Sequence, residues 1–476
     1  MSEENKNINT EGGESADVTE VCRDAASVKK KPRKVSLSSF IFSAVAIALA
    51  AVMLTYTCCN SVYKRKLAEA RLENVTLGDF GEFDELEVLR LLFEQYSYYD
   101  IDEEKMVDEV LKAYVAATGD RYAEYYTAEE FAALKADTRG ESVGIGIKII
   151  SNTVLMNGIE RDVIEIVGVS PDSPALEAGV KVGDLIIGVG KGEGVKPVYE
   201  LNYDTAVGML RGEAGTVADF VILRPHKDSD PEEISFSIVR RKVESVSVQY
   251  SVSEADKKVG IVKIDSFDLT VPRQLSAAVD ELIRGGCESF VFDVRYNLGG
   301  DLESIRAVLS YFLSEGDRLI STVDNTGKEE IEYVGAITHD SEDYASCDVS
   351  AEDIGKYAHL KGKMVVLCNQ STASAAELFT AAMRDYGLAQ IVGEKTYGKG
   401  SMQNTIPLSY FGYTGAIKLT TKMYFPPSGE GYDGVGITPD LTVSQSEEAL
   451  SYSHYVLPQS LDDQLIAAIE RLNKSK

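Results

Sequence analysis

From residue 259 to residue 472 the chain alternates short apolar runs with amphipathic stretches of helical length, and few folds satisfy that alternation. Residues 260–264, 289–294, 363–369 and 389–392 read as strands. Residues 272–284 carry Leu275, Ala278, Val279 and Leu282 on one helical face, and 302–312 and 373–385 read as further helices. Strands separated by helices of this length predict a mixed or parallel sheet with helices flanking it. A last segment, 461–472, has apolar residues at 461, 465, 468, 469 and 472 and is expected to dock as a helix. Residues 341–358 are acidic and polar and read as a surface excursion.

Upstream the pattern changes twice. Residues 61–136 read as helical, with Phe83, Leu86, Val88, Leu89, Leu91 and Leu92 clustered in one segment. Met106, Val107, Val110, Leu111 and Tyr114 recur at i, i+3, i+4 in the next. From 138 the period becomes that of strands. Ser142-Val143-Gly144-Ile145-Gly146-Ile147 opens a turn and strand, and a second strand covers 162–169. Ser173-Pro174-Ala175 starts a short helix that ends at Ala178-Gly179, and Gly183-Asp184 turns into another strand. A helix at 203–211 and a strand at 218–224 follow.

The first 34 residues are polar and end in Lys29-Lys30-Lys31-Pro32-Arg33-Lys34, a composition that cannot bury enough surface to fold. Residues 35–57 then hold no charge, which is long enough to cross a bilayer as a helix of about 20 apolar residues. A cleaved signal peptide has a shorter apolar core and a shorter lead, so an uncleaved anchor is expected. The basic residues before the span favour a cytoplasmic N-terminus, with everything from about residue 60 outside. The net charge of −28 argues against nucleic acid as a partner. The cysteines (Cys22, Cys58, Cys59, Cys287, Cys347 and Cys368) form no CxxC, the histidines no HExxH, and neither a metal nor another cofactor is expected. Cys368, in an apolar run, reads as a buried free thiol.

Chemistry concentrates at Ser374 and Lys399. The run 363–369 leads through Ser371-Thr372-Ala373-Ser374 into a helix, so Ser374 stands where backbone N–H groups and the helix dipole favour an anion. A serine nucleophile also needs a base. No histidine stands in a suitable motif, but Lys399 lies in Gly398-Lys399-Gly400 after the next strand, and a desolvated lysine can serve. From these residues alone a helix cap at Ser374 and a solvated loop charge at Lys399 are the readier readings.

A family resemblance separates these readings. Ser371-Thr372-Ala373-Ser374-Ala375-Ala376-Glu377 together with Gly393-Glu394-Lys395-Thr396-Tyr397-Gly398-Lys399-Gly400-Ser401-Met402-Gln403 resembles the carboxyl-terminal processing (tail-specific) proteases. So do Asp293-Val294-Arg295-Tyr296-Asn297-Leu298-Gly299-Gly300, Thr118-Gly119-Asp120-Arg121-Tyr122, and Tyr424-Phe425-Pro426-Pro427 with Gly434-Val435-Gly436-Ile437-Thr438-Pro439-Asp440. Ala376, Val294 and Leu298 depart from the family's common Ser, Leu and Pro. The segment 138–242 resembles a PDZ domain.

The resemblance implies a mixed α/β core of the tail-specific, crotonase-like type with an inserted PDZ domain. The implied organisation is a tail (1–34), a transmembrane anchor (35–58), a helical region (60–137), the PDZ domain (138–242) and a serine protease core (243–476). It implies Ser374 as nucleophile, Lys399 as general base and Gln403 as the residue that orients the lysine. The oxyanion hole would be the N–H of Ala375 with that of Gly299 or Gly300. Gly144, Ile145, Gly146 and Ile147 would line a groove for a substrate's free C-terminus, and a homo-oligomer is kept as an open expectation. The expected activity is endoproteolysis of extracytoplasmic proteins near their C-termini. A catalytically inactive peptide-binding scaffold is the competing expectation, and Ser-x-x-Lys matches at Ser27/Lys30 and Ser61/Lys64 lack any Lys-Thr-Gly partner.

Overall fold

A computed structural model describes residues 84–156, 158–226 and 229–474. The tail and the expected anchor, with Cys22, Cys58 and Cys59, lie outside these residues. No helix among the described residues is long and apolar enough to cross a membrane. The described residues divide into two units, with the helix Asp84–Tyr96 in the first and the residues from Glu104 in the second.

The second unit is built on a six-stranded sheet in the order Val248–Val252, Val259–Ile264, Ser289–Asp293, Met364–Cys368, Ala389–Gly393, Leu441–Thr442. The first pair is antiparallel and every other pair is parallel. Alternate side chains of each strand serve opposite faces. Val262, Phe290, Phe292, Val366 and Ile391 pack with the helices Val271–Arg284, Leu302–Ser310 and Ala375–Asp385. Ile261, Val291, Val365, Leu367 and Val392 pack with Leu465, Ala468, Ile469 and Leu472 of the helix Asp463–Lys474. Burial on both faces is why these strands read as unbroken apolar runs.

An antiparallel sheet lies beside this layer. Its strand Ala416–Phe425 pairs along one edge with Ser401–Pro407 and along the other with Glu124–Tyr126 and Arg318–Asp324. The helical reading of residues 60–137 therefore needs correction at one place. Helices Glu103–Ala117 and Ala128–Thr138 flank a strand whose Tyr125 and Tyr126 are buried. Its partner, Ala416 to Lys418, is too distant in sequence for local periodicity to reveal.

Residues 341–358 are likewise more than a surface excursion. Cys347, Val349 and Tyr357 belong to the main core, and the Tyr357 hydroxyl donates to Asp280 at 2.9 Å. A few anchors in a polar segment suffice because a buried tyrosine needs only one partner for its hydroxyl. Cys287, Cys347 and Cys368 are free and buried.

Residues 141–244 form an insertion with its own hydrophobic cluster, including Ile145, Ile164, Ile186, Phe220 and Ile222. Strands run in the order Ile147–Met156, Ile159–Val169, Leu185–Val189, Val217–Arg224, Glu232–Val239, with the helix Tyr203–Leu210 against them. Where the chain enters and leaves, Glu141–Gly144 and Arg241–Glu244 pair antiparallel and close the base. Ile147–Met156 is an edge strand, and its Lys148 makes a 2.7 Å ion pair with Asp265 of the core.

Arg295 ties the end of one core strand to the C-terminal helix. Its guanidinium donates twice to Asp293 (2.9 and 2.6 Å) and twice to Asp462 (2.9 and 2.7 Å), and once to Gln464 (2.9 Å). Burial alone would raise the pKa of Asp293, but the adjacent guanidinium overrides it and holds the carboxyl well below its usual range. Arg295→Ala leaves two buried carboxylates facing each other without their cation. It is expected to destabilise the fold by roughly 3–5 kcal/mol, read as a lowered midpoint in denaturant unfolding.

Candidate active site

Three loops leave the carboxyl ends of three adjacent parallel strands, 294–300, 369–374 and 394–400, and they meet at Ser374. Side chains in the crevice outside such strand ends are the usual placement of a functional site in an α/β sheet. The loops are stitched to one another. Ala373 N–H donates to Asn297 O (2.9 Å), Tyr296 N–H to Asn369 Oδ1 (3.0 Å), and Tyr397 N–H to Thr372 O (3.0 Å). Thr372 Oγ1 donates to Val294 O (2.8 Å) and Asn297 Nδ2 to Ile264 O (2.9 Å).

Ser374 sits at the start of the helix Ala375–Asp385 with φ 56 and ψ −121, a region L residues rarely occupy. Such strain persists only when the surroundings impose it. Here they do. The Ser374 N–H donates to Glu377 Oε2 (3.1 Å), and Gly299 presses on the turn so closely that a Cβ there would stand 2.7 Å from Ser374 Cβ. Gly299 also has φ 106. The Ala375 and Gly300 N–H groups have no hydrogen-bonding partner among the described residues, whereas the Gly299 N–H donates to Asn297 Oδ1 (2.8 Å). Of the two glycines named from the sequence, Gly300 is therefore the one with a free donor, because Asn297 turns back on its own loop.

Glu377 is the group that sequence reasoning passed over. It is fully buried and accepts from Ser374 N, Lys399 N (2.8 Å), Gly398 N (2.7 Å) and Thr396 Oγ1 (2.5 Å). Burial raises its pKa above the ordinary carboxylate value despite these four donors. One carboxylate thus fixes the serine turn and the lysine loop together. The lysine loop is held on its other side by the 432–437 segment, through Gly400 N–H to Asp433 Oδ1 (2.8 Å) and Ile437 N–H to Thr396 Oγ1 (2.7 Å). Gly398, at φ 91, leaves no room there for a side chain: a Cβ would stand 2.8 Å from Gly436 N.

The Lys399 ammonium lies 4.5 Å from the centre of the Tyr122 ring, and among the described residues no hydrogen bond joins it to Ser374 Oγ. Burial, reinforced by Lys418 and Arg121, lowers its pKa below the ordinary 10.5. Gln403 Nε2 donates to Ser401 Oγ (3.0 Å) and Thr420 Oγ1 (3.1 Å), not to Lys399. Thr420 is clamped in turn by Asp120, through its N–H at 2.7 Å and its hydroxyl at 3.0 Å. The Tyr424 hydroxyl lies beside Ser374 and donates to Lys399 O (2.8 Å).

Ser374, Ala375, Gly300, Lys399 and every residue of the strand Ser401–Pro407 line one cleft of about 1570 Å³. Among the described residues that strand pairs only with Ala416–Phe425, and its other edge is open along the cleft. His339, set aside from the sequence, also lines the cleft, but its ring nitrogens face Asp348 (2.8 Å) and Glu303 (3.2 Å). Gly144, Ile145, Gly146 and Ile147 line a second cavity of about 940 Å³, beside Val207, Leu210 and Arg211. The two cavities share Ser266 in their walls.

A hydroxyl in a strained turn, two free N–H groups beside it and a lysine in the same cleft suit acyl transfer. Residues 258–443 match Peptidase family S41. The chain is 30% identical over 348 residues to a carboxy-terminal-processing protease of Bartonella bacilliformis, covering 72% of this chain and 71% of that protein. The chain belongs to peptidase family S41. It is 28% identical over 405 residues to the carboxy-terminal processing protease CtpA of Bacillus subtilis, covering 84% of this chain and 76% of the relative. A crystal structure of a Bacteroides fragilis chain assigned to the S41 proteases matches 84% of this chain and 100% of its own, at 16% identity and a TM-score of 0.53, and shares its fold.

This S41 peptidase is thus a serine-type, carboxy-terminal-processing enzyme with a mixed α/β protease fold. Its buried Glu377 offers a direct test of how the site is held. Glu377→Gln turns an amide N–H₂ toward two of the four donors, and an unmatched buried donor costs about 1–3 kcal/mol. The variant is expected to fold with lowered stability and to lose at least tenfold in kcat, measured on an unstructured protein substrate beside a thermal melt.

Proposed function

We propose that this chain is a membrane-anchored endopeptidase that uses Ser374 as nucleophile and Lys399 as general base. The observation that carries this reading is the strained turn at Ser374, open to the free Ala375 and Gly300 N–H groups, with Lys399 partly desolvated in the same cleft. Neutral Lys399 takes the proton of Ser374 Oγ as the oxygen attacks a peptide carbonyl. The carbonyl oxygen becomes an oxyanion facing the N–H groups of Ala375 and Gly300. Collapse expels the amine, which leaves with the proton from Lys399, and water then hydrolyses the acyl-enzyme. The Gln403 amide nitrogen is held by Ser401 and Thr420, which leaves its oxygen to accept from the lysine and orient it.

Residues 138–242 act in this reading as a PDZ domain that takes the substrate's C-terminus. Gly144 to Ile147 lead into the edge strand Ile147–Met156, whose open side borders the 940 Å³ cavity, and an extended peptide can add there as a further strand. The shared wall at Ser266 lets a bound tail continue into the protease cleft. The chargeless span at 35–58 would hold the enzyme in the cell membrane, N-terminus cytoplasmic and catalytic part outside.

With the full chain in detergent, Ser374→Ala and Lys399→Ala are each expected to abolish cleavage of casein, with loss of at least a thousandfold. Undiminished cleavage by either variant defeats the dyad. Because only the neutral amine accepts a proton, kcat/KM should rise with pH, along an acid limb centred below lysine's ordinary value. Amidating a substrate's C-terminus should lower its cleavage by about tenfold or more, and equal rates for free and amidated forms would remove the tail-binding role.

A further inference from the structure

The Lys399 side chain is placed by a residue far from it in sequence. Tyr122 presents its ring 4.5 Å from the Lys399 ammonium, and Arg121 lies 4.6 Å from the same ring. The Tyr122 main chain is fixed by its N–H, which donates to Asp120 Oδ1 (3.0 Å), and Asp120 also holds Thr420, the residue that holds Gln403. The tyrosine follows no element of the core. It stands in the turn before the strand Glu124–Tyr126 and the helix Ala128–Thr138 that leads into the insertion. Lys399 makes neither an ion pair nor a hydrogen bond through its ammonium among the described residues, so the aromatic face is its one close polar attraction there.

We propose that Tyr122 is a positioning residue that docks the protonated Lys399 side chain off the serine and releases it when the amine loses its proton to solvent. The proposal rests on the role of Lys399 as base. A ring face attracts an ammonium through its quadrupole and has no such hold on a neutral amine. Protonation and position are therefore one event: the ammonium stays on the ring, and the neutral amine is free to reach Ser374 Oγ. The charges facing the ammonium are Arg121 and Asp120 from the same turn, Glu377 from the helix Ala375–Asp385, and Lys418 from the strand Ala416–Phe425. Lys418 is itself paired with Glu124 at 2.8 Å, and Asp433 and Tyr397 approach the Tyr122 hydroxyl. Asp120 and Glu377 favour the ammonium and Lys418 and Arg121 oppose it, but none of the described residues forms an ion pair with it, and the ring face is the group it touches.

The test is the pH profile of kcat/KM for casein cleavage by the full chain in detergent. Tyr122→Leu keeps an apolar cover but removes the quadrupole. Its acid limb should move to lower pH by roughly half a unit to one and a half units, the shift that a lost cation–π attraction gives. Wild type and variant should converge at high pH, where the wild-type lysine is already neutral. Tyr122→Phe should keep the wild-type limb, and Tyr122→Trp, with a stronger face, should move it to higher pH. A limb unmoved in Leu and Trp, or a Leu plateau depressed at every pH, overturns the proposal. Acylation of Lys399 by acetic anhydride, followed against pH by mass spectrometry, reads the same order without catalysis. If nothing is cleaved by wild type, the endopeptidase reading fails, while the acylation order still decides the dock. If Tyr122→Leu does not fold, the Phe and Trp profiles decide it.

Discussion

The site depends on one buried carboxylate. Glu377 takes four donors, two from the backbone of the lysine loop, one from Thr396 and one from Ser374 itself. Together with the bond from Tyr397 N–H to Thr372 O, it anchors the strained serine turn and the glycine-flanked lysine loop to each other. The desolvation of a lone carboxylate is several kilocalories per mole, and only dense hydrogen bonding makes such burial tolerable. Lysine and serine are thus held in one frame by their main chains. The lysine side chain is not part of that frame and rests against the Tyr122 ring.

Much of the core was legible in the sequence because its signals are local. Apolar runs at 260–264, 289–294 and 363–369 became parallel strands because a sheet covered on both faces needs them apolar on both. Ser374 was legible because a strand, a small-residue turn and a helix follow one another without interruption. What could not be read was non-local. The strand Glu124–Tyr126 has only three residues and forms because Ala416 to Lys418 lies beside it. Tyr122 and Asp120 reach the site by the same route. Glu377 stood inside the recognised motif, yet a charged residue in a helix's first turn ordinarily faces water. Its buried role arises from Thr396 and Gly398, which meet it only through the fold. Gly299 and Gly300 were indistinguishable in sequence, and the Asn297 side chain separates them.

Polar contacts join the insertion to the core. Lys148, on the strand that borders the tail cavity, pairs with Asp265 at the end of a core strand. Tyr455 lies between Lys148 and Lys263, 4.4 Å from one ammonium and 4.0 Å from the other. Next to it the His454 ring lies tilted against Tyr296, centroids 4.5 Å apart, and burial pushes its pKa down to about 3, so it stays neutral. Tyr296 begins the loop that ends in Gly300. In the proposed reading, a tail settling beside Lys148 lies one side chain away from the layer that touches the loop ending in Gly300.

The strand pairing of Tyr126 with Ala416, and the bond from Asp120 to Thr420, have a temporal consequence. The serine turn is complete once residues to 385 are made, but the lysine loop is clamped by Asp433 and Ile437, and Arg295 waits for Asp462. During synthesis, which proceeds from the N-terminus, these late segments emerge last. A nascent or truncated chain therefore carries its serine without the frame that aligns it. The frame around the serine closes only when the segments to Asp462 have been made and folded.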